Sequence, residues 1–204
     1  MEVSGDSLDA VLFDLYQALL KTGARNTGTR GGTTEMLALS IRITKPRARL
    51  SRSESRGKAF SPLGELLWYL AKSDKLDFIE PYVGEYRKDA VNGVLPGAYG
   101  PRLFAMRGEI NQIENVIRLL RKKSGSRRAV VQLFNAEDIA TEHSEIPCTT
   151  ALQFHLREGM LSLSVTMRSN DAVWGLPHDV FCFTMIQEMM ARALDAELGE
   201  YYHL

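Results

Sequence analysis

Leu8, Val11, Leu12, Leu15 and Leu19 recur at the spacing of one helix face and predict a helix over 6–21, which Gly23 stops. Residues 24–34, rich in Gly, Thr and Arg, read as a loop, and Met36–Ile43 as a strand. Leu63, Leu66, Leu67 and Leu70 predict a second helix over 61–71, with Ser61 as its cap and Pro62 in its first turn. Residues 84–101 hold four glycines and two prolines and read as a long loop, a type that usually carries function. Ile110, Ile113, Val116, Ile117, Leu119 and Leu120 mark a third helix that ends near Gly125.

Ala129–Phe134 reads as a short strand. Thr150–Leu156 and Met160–Met167 flank Glu158-Gly159 as a hairpin. Residues 173–194 are apolar nearly all round, as in a buried helix. Hairpins alongside segregated helices indicate an α+β fold in one unit over 1–204.

Charge narrows the choice of partner. Twenty-five basic side chains balance twenty-five acidic ones, which gives no support for binding nucleic acid or a membrane surface. The basic stretch 45–58 lacks the interleaved aromatics that stack bases and reads as a solvated loop. The arginines crowd nonetheless: Arg25, Arg30, Arg42, Arg47, Arg49, Arg52 and Arg56 in one region, Arg127-Arg128 in another. Clustered arginine in a neutral protein suggests a small anionic ligand. Two cysteines make no disulfide framework, the N-terminal residues have no signal-peptide pattern and no apolar run is long enough to span a membrane, so a cytoplasmic setting is expected.

Candidate chemistry concentrates in Pro147-Cys148, Arg168-Ser169-Asn170-Asp171 and Gly175-Leu176-Pro177-His178-Asp179. A thiol becomes a useful nucleophile when nearby positive charge favours its anion, and an arginine on a neighbouring strand supplies that charge while gripping a phosphate. Cys182, among Phe181, Phe183 and Met185, reads as core, as does Trp68.

The order Gly64-Glu65-Leu66-Leu67-Trp68-Tyr69-Leu70, Ala98-Tyr99-Gly100, Ser126-Arg127-Arg128, Pro147-Cys148, Gln153-Phe154, Met167–Asp171, Gly175-Leu176-Pro177 resembles the thymidylate synthase family. The resemblance implies a two-layer sandwich on a large twisted mixed sheet, working as a homodimer. It also implies transfer of a one-carbon unit from 5,10-methylenetetrahydrofolate to C5 of a pyrimidine nucleoside monophosphate, without a metal. By the same resemblance Cys148 is the nucleophile that adds to C6, and Glu65 and Tyr99 move protons. Arg168 and Ser169 bind phosphate, and Arg127 and Arg128 reach the partner subunit's phosphate. Gln153 lines the nucleotide site, and Asp171 and Gly175 lie on the folate side. A further phosphate arginine falls in the loop after the first helix, at Arg30, with Arg25 competing. The family's Gly-Asp-x-His-x-Tyr ribose segment and closing tail do not follow Leu204, and the tryptophan expected before the Tyr-Gly loop is missing, with Tyr86 the nearest aromatic.

Asp179 bears on the base, because the family's thymidylate synthases carry asparagine there. An amide pairs with the N3–H and O4 of uracil, whereas a carboxylate accepts from the 4-amino group of cytosine and can share a proton with N3. Asp179, together with Asn170 in Arg168–Asp171, is similar to the deoxycytidylate/cytidylate 5-hydroxymethylase branch of the family, and that resemblance implies 5-hydroxymethylation of dCMP or CMP, with Asp179 in the catalytic and base-reading set. Methylation of dUMP and an inactive nucleotide-binding homologue are the alternatives. Asp179 as a plain helix cap and His178 as a water-activating base also stay open.

Overall fold

The structure, a computed structural model, describes residues 1–28, 31–51, 59–140 and 145–204. Six strands form a mixed sheet in the order β1 (Glu2–Gly5), β4 (Ser40–Ile43), β8 (Glu197–His203), β7 (Met160–Met167), β6 (Thr149–Arg157), β5 (Val130–Gln132). β1 runs parallel to β4 and β7 to β8, and the other neighbours are antiparallel. Helices cover one face of this sheet: α1 (Leu8–Thr22), α2 (Phe60–Leu70), α3 (Leu76–Ile79), α4 (Tyr99–Phe104), α5 (Gln112–Lys122) and α6 (Gly175–Ala193). This is the α+β sandwich on a mixed sheet that the sequence implies. No helix among the described residues is long and apolar enough to cross a membrane.

Alternation along the strands builds the core. Leu152 and Phe154 on β6, Leu161, Leu163 and Val165 on β7 and Tyr201 on β8 are fully enclosed, while Gln153, Ser162, Ser164 and Tyr202 between them keep solvent access. The enclosed face meets α6, which buries residues all round its axis and forms the crossover that parallel pairing of β7 with β8 requires. Register slips between Leu161 and Leu163, and the buried Gln187 of α6 repairs the ladder by donating to Leu161 O at 2.9 Å and Glu200 O at 3.1 Å.

Several expectations change. Residues 24–34 hold a two-stranded hairpin, β2 (Ala24–Gly28) and β3 (Gly31–Glu35), stabilised by pairing that its Gly-Thr composition concealed. The strand expected over Met36–Ile43 begins only at Ser40, because the chain turns through Ala38 in the left-handed region, φ 53°. Ser61 is not a cap; α2 starts a residue earlier, after Ala59, with no side-chain cap bond. The long loop contains a 3-10 turn at Gly84–Lys88 and the start of α4. β1 and β8 carry no clear signal of their own and exist because they pair with β4 and β7. The hairpin turn is as expected, with Glu158 and Gly159 both at positive φ.

Candidate active site

Topology brings the chemistry to one corner. Thr149 pairs with Met167 across β6 and β7, so the residue before β6, Cys148, faces the residue after β7, Arg168. Arg168 N donates to Cys148 O at 2.9 Å, which pins the two backbones. The guanidinium then folds back: Nε donates to Pro147 O at 2.9 Å, and Nη2 to Ile146 O at 3.2 Å, lying 3.7 Å from Cys148 Sγ. A cation held there by two carbonyls favours the thiolate. Ser169 follows at the exposed mouth of the corner.

β8 runs parallel to β7 and ends in the same corner, with His203 opposite Val165. The long α6 starts there too. Asp171 accepts hydrogen bonds from Val173 N, Trp174 N and Gly175 N and so fixes the turn that enters this helix, whose N-cap, Trp174, has no side-chain cap bond. That removes the reading of Asp179 as a cap, because Asp179 lies inside the helix, one turn beyond its start. Its Oδ2 accepts from Asn170 Nδ2 at 2.7 Å. Asn170 Nδ2 also lies 3.1 Å from His203 Nε2, whose Nδ1 is 2.8 Å from Tyr201 Oη. The resulting chain, Tyr201–His203–Asn170–Asp179, backs one oxygen of the acid. Burial, and then the charge of Glu65, push the Asp179 carboxyl well above the usual carboxylate range, against the Asn170 hydrogen bond. Burial holds His203 down at about 4, so the ring is neutral. A neutral ring that accepts from Asn170 at Nε2 carries its proton on Nδ1 and donates it to Tyr201.

Glu65 enters from α2 and is buried. Its neighbour Gly64 permits the approach: a Cβ at that position falls 2.1 Å from Cγ of Tyr82. Tyr86 Oη donates to Glu65 Oε1 at 2.5 Å, and His178 Nδ1 lies 3.2 Å from Oε2. Burial and the Glu65 charge drive the Tyr86 hydroxyl well above its ordinary pKa, so it stays a donor. Tyr99, at the start of α4, bridges the two halves of the corner. Its hydroxyl accepts from Thr149 N, beside Cys148, at 3.1 Å, and burial followed by the Asp179 charge raises its pKa well above normal.

Cys148, Arg168, Ser169, Asp171, Gly175, Asp179, Glu65 and Tyr99 therefore converge. Arg127, Arg128 and Gln153 do not. Gln153 sits opposite Val130 on the sheet face without helices, and its Nε2 donates to Arg127 O at 3.2 Å. Gln153 is mid-strand and Cys148 precedes the start of β6, more than about 15 Å away at strand rise. Arg25 is exposed on β2, and Arg30 lies outside the described residues, as do Arg52, Arg56 and Lys58. Cys182 is core: its thiol is buried, donates to Pro62 O at 3.4 Å and is raised well above its usual pKa. Trp68 is likewise buried. Sequence reasoning missed the Tyr86 hydroxyl as partner of Glu65 and the pair Tyr201–His203. The i, i+2 spacing of that pair on β8 is a strand signal that escaped notice.

The family described as thymidylate synthase matches residues 12–204. The chain belongs to the thymidylate synthase family. A deoxyuridylate hydroxymethyltransferase of Delftia phage PhiW-14 is 29% identical over 98% of this chain and 59% of its own length. A deoxyuridylate hydroxymethyltransferase of Bacillus phage SP01 is 30% identical over 98% of this chain and 56% of its own. A thymidylate synthase of Francisella philomiragia subsp. philomiragia is 29% identical over 89% of this chain and 70% of its own. The chain thus spans less than two thirds of the two phage relatives.

Proposed function

We propose that this protein transfers a one-carbon unit to C5 of a pyrimidine nucleotide and releases it as a hydroxymethyl group, with a cytosine nucleotide as substrate. The single observation that carries the reading is Cys148 Sγ at 3.7 Å from the Arg168 guanidinium, in the corner that also holds the enclosed Asp179 carboxyl.

C5 of a pyrimidine is a poor nucleophile until a thiolate adds at C6, and Cys148 is placed to add. Arg168 favours the thiolate, and with Ser169 forms the phosphate end of the site. Arg127 and Arg128 are too far from their own Cys148, and reach a phosphate from a second copy in a homodimer. Asp179 reads the base. Asn170 occupies its Oδ2, so the other oxygen faces the ring and accepts from the 4-amino group, while the high affinity of this acid for a proton suits a proton shared with N3. Glu65 and Tyr99 hold protons on either side of the base. The one-carbon donor is 5,10-methylenetetrahydrofolate, which supplies the methylene. Its place is the start of α6, where the Trp174 ring is 70% exposed and Asp171 fixes the turn leading to Gly175.

A deoxyuridylate substrate is the second reading, favoured by the names of the two phage relatives. A tritium-release assay with C5-labelled dCMP, CMP and dUMP, followed by mass analysis of the product, tests both. Release from a cytosine nucleotide, a hydroxymethyl product and no rise in dihydrofolate absorbance are expected, with release and product both lost in Cys148→Ser. Release from dUMP alone overturns the base assignment, and a methyl product overturns the hydroxymethyl one.

A further inference from the structure

Glu65 is held in a way that the transfer reaction alone does not require. A buried carboxylate needs hydrogen bonds at both oxygens, and here each comes from a different element. Tyr86 Oη serves Oε1 at 2.5 Å, and His178 Nδ1 serves Oε2 at 3.2 Å. The two partners differ in kind. The Tyr86 hydroxyl is locked as a donor by its raised pKa. An imidazole can give a proton at one nitrogen and take one at the other.

His178 is also the member of the trio with an outlet. Its side chain is 29% exposed, against 8% for Glu65. It lines a cavity of about 20 Å³ together with Arg49, Ser51, Pro62 and Phe181. That volume holds about one water, and its wall is partly polar. Among the described residues, the charged groups facing His178 are Glu65 on α2 and, across the cavity, Arg49 from the segment after β4, while Asp179, its neighbour on α6, turns to Asn170. Successive residues of a helix point about 100° apart, so one turn of α6 presents Asp179 to Asn170 and His178 to Glu65.

We propose that His178 is the positioning residue that holds Glu65 aimed at the water that ends the reaction. The proposal rests on the hydroxymethyl reading above. In that step the water oxygen bonds to the exocyclic carbon and its proton passes to Glu65. The electron pair of the exocyclic double bond restores the C5–C6 double bond, the C6–sulfur bond breaks, and Cys148 leaves as thiolate. With its Nδ1–H given to Oε2 the imidazole cannot take that proton, which leaves Glu65 to solvent when the product departs, while His178 keeps Oε2 aligned throughout. Protons and electrons balance without an oxidant.

The test compares the parent protein with His178→Asn, which keeps a donor near the Nδ1 position, and with His178→Phe, which has none. Tritium released from C5 reports the early steps, and hydroxymethyl nucleotide reports the last. The ratio of product to tritium released is expected to fall at least about tenfold in His178→Phe and to stay within about threefold of the parent in His178→Asn. An unchanged ratio in His178→Phe, tritium and product falling in parallel, or an equal fall in both variants overturns the proposal. NMR of the His178 ring in the protein alone supplies a readout independent of turnover: Glu65→Gln is expected to shift its Nδ1 resonance, because a carboxylate acceptor is replaced by an amide. An identical ring spectrum in parent and variant overturns the pairing. If the parent releases no tritium from any pyrimidine nucleotide, the one-carbon reading fails and takes this role with it, whatever the NMR gives.

Discussion

Replacing Asp179 with asparagine changes one atom, and the surroundings decide what that atom does. Asn170 Nδ2 stands 2.7 Å from Oδ2 and donates to it. An amide at 179 must turn its oxygen to Asn170, since two NH2 groups repel there, and so presents its own NH2 to the base. The base-facing group changes from acceptor to donor. Cytosine then meets a donor against its 4-amino group, and uracil finds a donor for O4. A mispaired buried polar contact costs about 1–3 kcal/mol, or about 5- to 150-fold in kcat/KM. Because the loss on cytosine and the gain on uracil act together, the dUMP-to-dCMP ratio should rise between about 30-fold and about 2 × 10⁴-fold. Tritium release from the two C5-labelled nucleotides measures it. A ratio that stays within threefold of the parent refutes the assignment of Asp179 as the group that reads the base. The parent has an internal counterpart. Burial keeps its carboxyl protonated to a higher pH than usual, and a protonated acid can donate to O4, so discrimination against dUMP should weaken as pH falls.

Arg168→Lys keeps a positive charge but loses the forked donor that Pro147 O and Ile146 O orient, so the charge is no longer held beside Cys148. The alkylation rate of Cys148 by iodoacetamide at neutral pH should fall at least about threefold. Cys182 is buried with its thiol pKa raised, so it does not contaminate the signal, and an unchanged rate refutes the thiolate argument. His203 gives a stability prediction. Its pKa in the fold is about 4 against an ordinary 6.5, so below pH 6.5 the unfolded chain takes up a proton that the fold refuses. This contribution is intact above pH 6.5 and is lost progressively as pH falls to about 4, a total of about 3 kcal/mol. The raised pKa of Asp179 acts in the opposite direction in acid, so the difference between parent and His203→Gln isolates the term. Denaturant titrations at neutral and mildly acid pH should show the parent losing more stability than the variant, and equal slopes contradict a buried neutral ring.

The sequence by itself determined the long helices and the central hairpin, because apolar periodicity is a local property and α1, α5, α6, β6 and β7 each carry enough of it. It also picked out Cys148, Arg168, Glu65, Tyr99 and Asp179 as candidates, since their types and order resemble a family with demanding chemistry. Only the tertiary structure decided their relations. Cys148 and Arg168 are twenty residues apart and meet because the β6–β7 register sets one opposite the other. β1 and β8 are too short or too polar to announce themselves and become strands through their partners. Asp179 stands one turn inside α6 rather than at its cap, which a count of positions from an unknown helix start could not resolve. Arg127 and Arg128 were left at the far end of the sheet from their own nucleophile, since strand length sets that separation. Hydrogen-bond partners such as Tyr86 and His178 for Glu65 come from segments with no sequence spacing in common, and only packing brings them together.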